Sequence, residues 1–311
     1  MISEGRRKKN ATWWRWLLTA IFLGIFIFLF LREGTDKILL AIQAIPLAVF
    51  GGALGLLTIS RFVVSARWHQ LADQTGKMPF WRALQLTYAG LFASNFLPTT
   101  IGGDVVRFFG ALQCGIDSGA AAASLVMDRI VGMAGMTCFL PFGLVRVWPL
   151  MMGSLNTANI SMAGFFPGLL EKIKRFIKDV WASVRFWLHH PARLLASLSF
   201  TFLHMWLYFT MIGMLIRALG GNLSFWEIGA IYSLSYFISQ IPISISGWGL
   251  QEVSVTYLFS NLGGLDVQAS LALAVLMRIL YILATLPGVL SLPGILEAKK
   301  YAEAQKNPLS E

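Results

Sequence analysis

Residues 76–107 read GKMPFWRALQLTYAGLFASNFLPTTIGGDVVR, and residues 221–252 read GNLSFWEIGAIYSLSYFISQIPISISGWGLQE. The two stretches follow one plan. Each opens on a glycine (Gly76, Gly221) with Phe-Trp four residues later, at Phe80-Trp81 and Phe225-Trp226. An apolar run follows and ends in a polar pair just ahead of a proline: Ser94-Asn95 before Pro98, Ser239-Gln240 before Pro242. Five residues past each proline comes a glycine (Gly103, Gly247), with Asp104 or Glu252 close behind. A helix cannot run unbroken through such a Pro/Gly loop, and unpaired backbone in lipid costs several kcal/mol per group. Interruptions at corresponding positions of two halves are the sequence pattern of a transporter-type binding site.

The rest of the chain places these loops in a membrane. Of 311 residues 56% are hydrophobic and only 13% charged, with a mean hydropathy of +0.66, against about 25% charged in a soluble domain. The net charge of +10 is not a nucleic-acid signal, because the basic residues cluster at the ends of apolar spans, as the positive-inside rule requires. Anionic lipid headgroups at the cytoplasmic face are the expected counterions, and no nucleic acid is expected. Arg6-Arg7-Lys8-Lys9 followed by the apolar run from Trp13 to Leu31 reads as an anchor helix, since the run is too long for the core of a signal peptide. Two cysteines and four histidines make no metal-ligand or redox spacing, and no P-loop, GxSxG, HExxH or dinucleotide turn is present. No metal, no cofactor and no enzymatic activity are therefore expected.

The expected fold is an all-α polytopic membrane helix bundle with about six full spans and two oppositely inserted re-entrant hairpins, an inverted repeat. Full spans are expected near 13–31, 38–59, 120–143, 194–217 and 268–293, with a weaker one at 146–166 diluted by Asn156, Thr157 and Asn159. Residues 38–145 form the first repeat half, with its hairpin at 82–113; residues 193–295 form the second, with its hairpin at 225–262. The first arm of each hairpin, about 16 residues or roughly 24 Å of helix, falls short of a ~30 Å hydrocarbon core. Residues 168–192 place Leu169, Ile173, Phe176, Trp181 and Trp187 on one face and basic residues on much of the other, a helix for the membrane surface that links the halves. The segment 61–82, with Arg61, Arg67, Lys77 and Arg82, the basic segment 172–193 and the Lys-rich tail are all expected in the cytoplasm. Both termini then lie inside, the span at 146–166 crosses, and the first hairpin enters from the cytoplasm and the second from outside.

Ionisable residues within apolar segments are functional candidates by default. The first half offers Asp104, Arg107, Asp128 and Arg129, and the second Glu252 and Arg278. One reading is a hydrated cavity lined by both loops; the other is a set of structural ion pairs that lock the hairpins. After each proline the helix restarts with free N–H groups and a positive dipole end, which favours phosphate, and the arginines could add bidentate contacts. Gly103, Gly247 and Gly249 would let a ligand or another backbone approach. Asn95 and Gln240, with their neighbouring serines, could satisfy loose carbonyls or bind a headgroup.

The stretch FASNFLPTTIGGDVVR, the following MDRIVGM from Met127 to Met133, and PISISGWGLQE with Met277-Arg278 resemble the transmembrane domain of the lysylphosphatidylglycerol synthase/flippase family, which includes the multiple peptide resistance factors. The resemblance covers about residues 40–295. It implies lipid translocation by a pair of oppositely inserted re-entrant hairpins. It also places the family's polar loop positions on Asn95, Pro98, Gly103, Asp104, Arg107, Asp128, Arg129, Pro242, Gly247, Gly249, Glu252 and Arg278. Many relatives have Glu where this chain has Asp104 and Asp128. The synthases carry a soluble aminoacyl-transfer domain after the membrane part, whereas this chain ends 16 residues past Ile295, so lipid aminoacylation is not expected of it. The expected function is movement of a phospholipid or lipid-linked sugar between leaflets of a prokaryotic inner membrane. The alternatives are a membrane-embedded transferase acting on a lipid-linked donor and a non-transporting scaffold.

Overall fold

A computed structural model describes residues 2–73, 76–97, 102–158, 191–241, 244 and 246–291, with side chains from residue 17 to 145 and from 192 onward within those ranges. Among them the chain is all-helical: ten α-helices, one 3-10 segment and no strand. The N-terminal helix α1 (Ile2–Arg32) turns through 86° at Gly34, whose φ of 90° suits a residue without a Cβ, into the short α2 (Thr35–Gln43). Pro46 then starts α3 (Leu47–Ala72), a 26-residue apolar helix.

The span expected at 38–59 is therefore displaced. Pro46 lacks an N–H and has its φ fixed at −57°, so it ends one helix and opens the next. The new helix continues straight through Arg61 and Arg67, which are buried at 6% and 7% exposure. These two arginines therefore lie within the helix and not in a connecting segment; of that group Lys77 and Arg82 lie beyond it, around the connection to the next helix.

The first broken segment follows as α4 (Phe80–Ser94) and α5 (Gly102–Gln113), of 15 and 12 residues, each too short for a ~30 Å core. Next comes α6 (Ser118–Ala158), a 41-residue helix of roughly 60 Å that outreaches the core. It passes 145 without a break, so the separate span expected at 146–166 has no starting point on its described part. The remainder of that segment, the linker helix expected at 168–192 and the crossing on which the inversion depends fall almost wholly outside the described residues. The second half comprises α7 (Pro191–Ala218), the broken pair α8 (Phe225–Gln240) and α9 (Leu250–Asn261), then α10 (Val267–Thr285), which ends in a 3-10 turn at Leu286–Ser291 around Pro287. Among the described residues four helices are long and apolar enough to cross a membrane, at Leu47–Ala72, Ser118–Val145, Ala192–Ala218 and Val267–Ser291, and the bent α1/α2 pair makes up to five.

The packing pairs equivalent elements. The helices that precede each broken segment, α3 and α7, form the largest helix–helix contact. The first arm α4 lies against the 3-10 turn that ends the second half, while the first arm α8 lies against α6 of the first half. Each hairpin is thus clasped by the other half. One apolar cluster joins α3, α7, α8, α9 and α10 around Leu57, Phe209, Phe259 and Leu280; a second, around Trp68, Met78 and Leu86, holds the first hairpin.

Candidate functional site

Where the two broken segments meet, their loops touch. The Ser246 hydroxyl donates to the Leu97 carbonyl at 2.6 Å, and the Trp248 indole N–H donates to the Asn95 carbonyl at 3.0 Å. These are carbonyls that a terminating helix leaves without an internal partner, so the second loop caps the end of the first. The Asn95 amide donates to Leu91 O, Phe92 O and the Thr285 hydroxyl, the carbonyl-satisfying role that its place before a proline suggested.

Beside this junction lies a cavity of about 330 Å³. Of the residues singled out in the sequence, Asn95, Asp104, Arg107, Asp128, Arg129, Gln240, Gly247 and Arg278 line it. Gly103, Gly249 and Glu252 do not. A Cβ on Gly103 would sit 2.1 Å from Ser94 Oγ and 2.3 Å from the Gly90 carbonyl, so this glycine lets the two arms of the first hairpin touch. A Cβ on Gly249 would sit 2.4 Å from the Leu23 nitrogen, so there the approaching backbone is α1. Glu252 stands behind Arg278.

The first half supplies a continuous chain of ion pairs. Asp104 takes Arg129 Nε on one carboxylate oxygen and Arg107 Nη2 on the other, both at 2.5 Å. Arg107 Nη1 reaches Asp128 at 3.0 Å, and the other Asp128 oxygen takes Arg67 Nε at 2.7 Å. Arg67 donates onward to the Thr201 hydroxyl on α7 at 3.0 Å. Charges this deep in a membrane protein are tolerated only when paired or hydrated, and here every carboxylate oxygen has a guanidinium. The second half uses a shorter version. Glu252 accepts from Arg278 Nε and from the Gly249 N–H (2.8 Å), and the Arg278 guanidinium stacks 4.8 Å over Trp248.

Sequence reasoning missed several lining residues. Arg61 and Arg67 look in the sequence like part of a basic connecting segment; the signal is Pro46, since a full-length helix counted from it places both inside. Tyr208, Tyr232, Tyr236, Tyr281 and His204 also line the cavity, but lone aromatics in apolar spans give no pattern to read. Five arginines (61, 67, 107, 129, 278) gather here against Asp104, Asp128 and Glu252, leaving a surplus of two positive charges. Among the described residues no group of three or more His, Cys, Asp or Glu side chains gathers to hold a metal.

A second, apolar space adjoins the first. Val105, Phe108 and Phe109 of α5 with Ala122, Leu125 and Val126 of α6 line a groove of about 510 Å³, and its remaining lining residues are Asp104 and Arg129. The polar cavity and the apolar groove thus share the Asp104–Arg129 ion pair as a common wall.

A search of curated proteins returned no match. Against protein families, residues 15–288 match the one described as the lysylphosphatidylglycerol synthase TM region, a span that takes in both hairpins, the cavity and the groove. The chain is a multi-pass membrane protein and belongs to the lysylphosphatidylglycerol synthase transmembrane-region family.

Proposed function

We propose that the protein moves a membrane lipid with a phosphate-bearing headgroup, or a lipid-linked sugar, from one leaflet to the other. One observation carries this reading: a polar cavity with surplus positive charge shares a wall with an apolar groove. Such a pair of spaces is complementary to an amphiphile, with the anionic headgroup among arginines and an acyl chain beside α5 and α6. Membership in a family named for a synthase of a charged phospholipid supports a lipid ligand.

In this mechanism the two hairpins enter from opposite faces, and the headgroup is admitted to the cavity first from one side and then from the other. The carboxylates hold the arginine network in place so that the site does not collapse when empty. No bond of the lipid is made or broken, so the protein acts as a transporter and not as an enzyme. We place it in a prokaryotic inner membrane with both termini in the cytoplasm, where Lys77, Arg82 and the basic stretch 172–193 meet anionic headgroups.

The test is reconstitution of the full chain into vesicles that carry a fluorescent phosphatidylglycerol in the inner leaflet. Label should become accessible to a membrane-impermeant quencher faster than in protein-free vesicles. Equal rates, both with and without an imposed ion gradient, would overturn the reading.

A further inference from the structure

The arginines that the sequence offered for phosphate are engaged elsewhere. Arg107 uses both terminal nitrogens on aspartates, Arg129 is held by Asp104, and Arg278 is held by Glu252 and Gln251. Arg61 differs. It is only 6% exposed and lines the same cavity, yet no carboxylate lies within 4 Å of it among the described residues, and its buried Nε has no hydrogen-bond partner. Its guanidinium is stacked 4.9 Å over the Tyr281 ring, an arrangement that fixes the plane of the group and leaves its N–H edge free. A buried cation without a counterion is costly to keep unless something else supplies the negative charge.

The neighbours on the cavity wall suit an oxyanion. Tyr208 accepts a hydrogen bond from the Tyr232 hydroxyl at 3.1 Å, so its own hydroxyl proton is available to a further acceptor. His204 is held through Nδ1 by Ser60, the residue next to Arg61, at 2.6 Å, which leaves Nε2 available. Both residues line the cavity with Arg61 and Tyr281.

We propose that Arg61, steadied by Tyr281 and flanked by Tyr208 and His204, is the anchoring cation for the phosphoryl group of the ligand, and that the Asp104–Arg107–Asp128–Arg67 network is the scaffold around it. This rests on the lipid reading above and assigns the headgroup's charged atom to one side chain. Arg61 meets the phosphoryl oxygens through its two terminal nitrogens, and the paired arginines contribute long-range positive potential.

The experiment uses the purified full chain, its variants Arg61→Gln and Arg61→Lys, and the exposed Arg217→Gln as a surface control. Binding of dihexanoyl phosphatidylglycerol, inorganic phosphate and dihexanoylglycerol is measured by calorimetry at low salt, and thermal unfolding is followed in parallel. Wild type and Arg217→Gln should bind the phospholipid alike, and Arg61→Gln should weaken that binding roughly tenfold or more, with Arg61→Lys in between. Dihexanoylglycerol, which lacks the phosphate, should not bind through Arg61. Competition by millimolar phosphate identifies the phosphoryl group itself as the recognised part, and phosphate binding without phospholipid binding assigns the site to free phosphate. Removal of an unpaired buried charge should also raise the melting temperature of ligand-free Arg61→Gln by about 2–4 °C. Wild-type binding by a folded Arg61→Gln, or a lowered melting temperature with unchanged binding, overturns the assignment while leaving the lipid reading in place. Failure of the wild type to bind either phosphate probe or to translocate lipid overturns both.

Discussion

The two broken helices share a plan and differ in what holds them. In the first, Asp104 in the opening turn of α5 looks outward and is tied to Arg107 and Arg129, and through Arg107 to Asp128 and Arg67 on two other helices. In the second, Glu252 in the opening turn of α9 closes back on its own helix start by accepting the Gly249 N–H, and pairs with a single arginine. The first hairpin is cross-linked through α3, α6 and α7; the second is largely self-capped at its acid, and its polar links outward are Arg278 of α10 and the Ser246 and Trp248 bonds to the first loop. An acid at the start of the restarting helix can therefore serve either a shared network or a local turn, and its surroundings decide which.

The sharpest way to break this contrast is to neutralise one acid on each side. Asp128→Asn strips two buried arginines of a partner at once and should cost about 3–5 kcal/mol. Glu252→Gln leaves Arg278 its stacking on Trp248 and its contact with Gln251, and should cost about 1–3 kcal/mol. Thermal unfolding of the detergent-solubilised variants checks the order; equal losses would mean that the second hairpin is as networked as the first.

The glycines sharpen it further. Gly103 is required for space, because the atoms a Cβ would meet include a backbone carbonyl, and Gly103→Ala should destabilise by about 1–3 kcal/mol with Gly103→Asn worse. Gly247 is required for its φ of +73°, with nothing closer than 3.7 Å to a new Cβ. Gly247→Ala should cost about 1–2 kcal/mol, and Gly247→Asn less, since Asn tolerates the left-handed region. Opposite rankings of Ala and Asn at the two sites, read from melting temperatures, are the expected result. The smallest effect belongs to the contact between the loops. Ser246→Ala removes the hydrogen bond to Leu97 and should cost about 1 kcal/mol, visible as faster proteolysis or deuterium uptake in both loops together.

The broken segments and the part of the lining that they and the buried charges supply could be read directly, because Pro98, Pro242 and the glycines behind them punctuate apolar runs too short to cross. Eight of the eleven residues named from that pattern reach the cavity. What could not be read is who pairs with whom. Arg67 and Asp128 lie 61 positions apart, and Ser246 and Leu97 lie 149 apart, so only the packing of α3 on α6 in the first case, and of one half on the other in the second, brings them together. Arg61 stayed hidden for a related reason: a charge at the edge of an apolar run looks like a flank until the start of the helix is known. Pro46 marks that start.

The notch at Gly249 has a consequence for how the chain is made. The α1 backbone near Phe22 and Leu23 seats against a glycine that is synthesised long after it, and Gly288 meets the Tyr88 carbonyl from the far end of the second half. During synthesis the earliest helix and the first hairpin arm must therefore wait in the bilayer with these seats unfilled. The seat on Tyr88 fills only when the 3-10 turn after α10 arrives, so this part of the membrane domain closes late in its biogenesis.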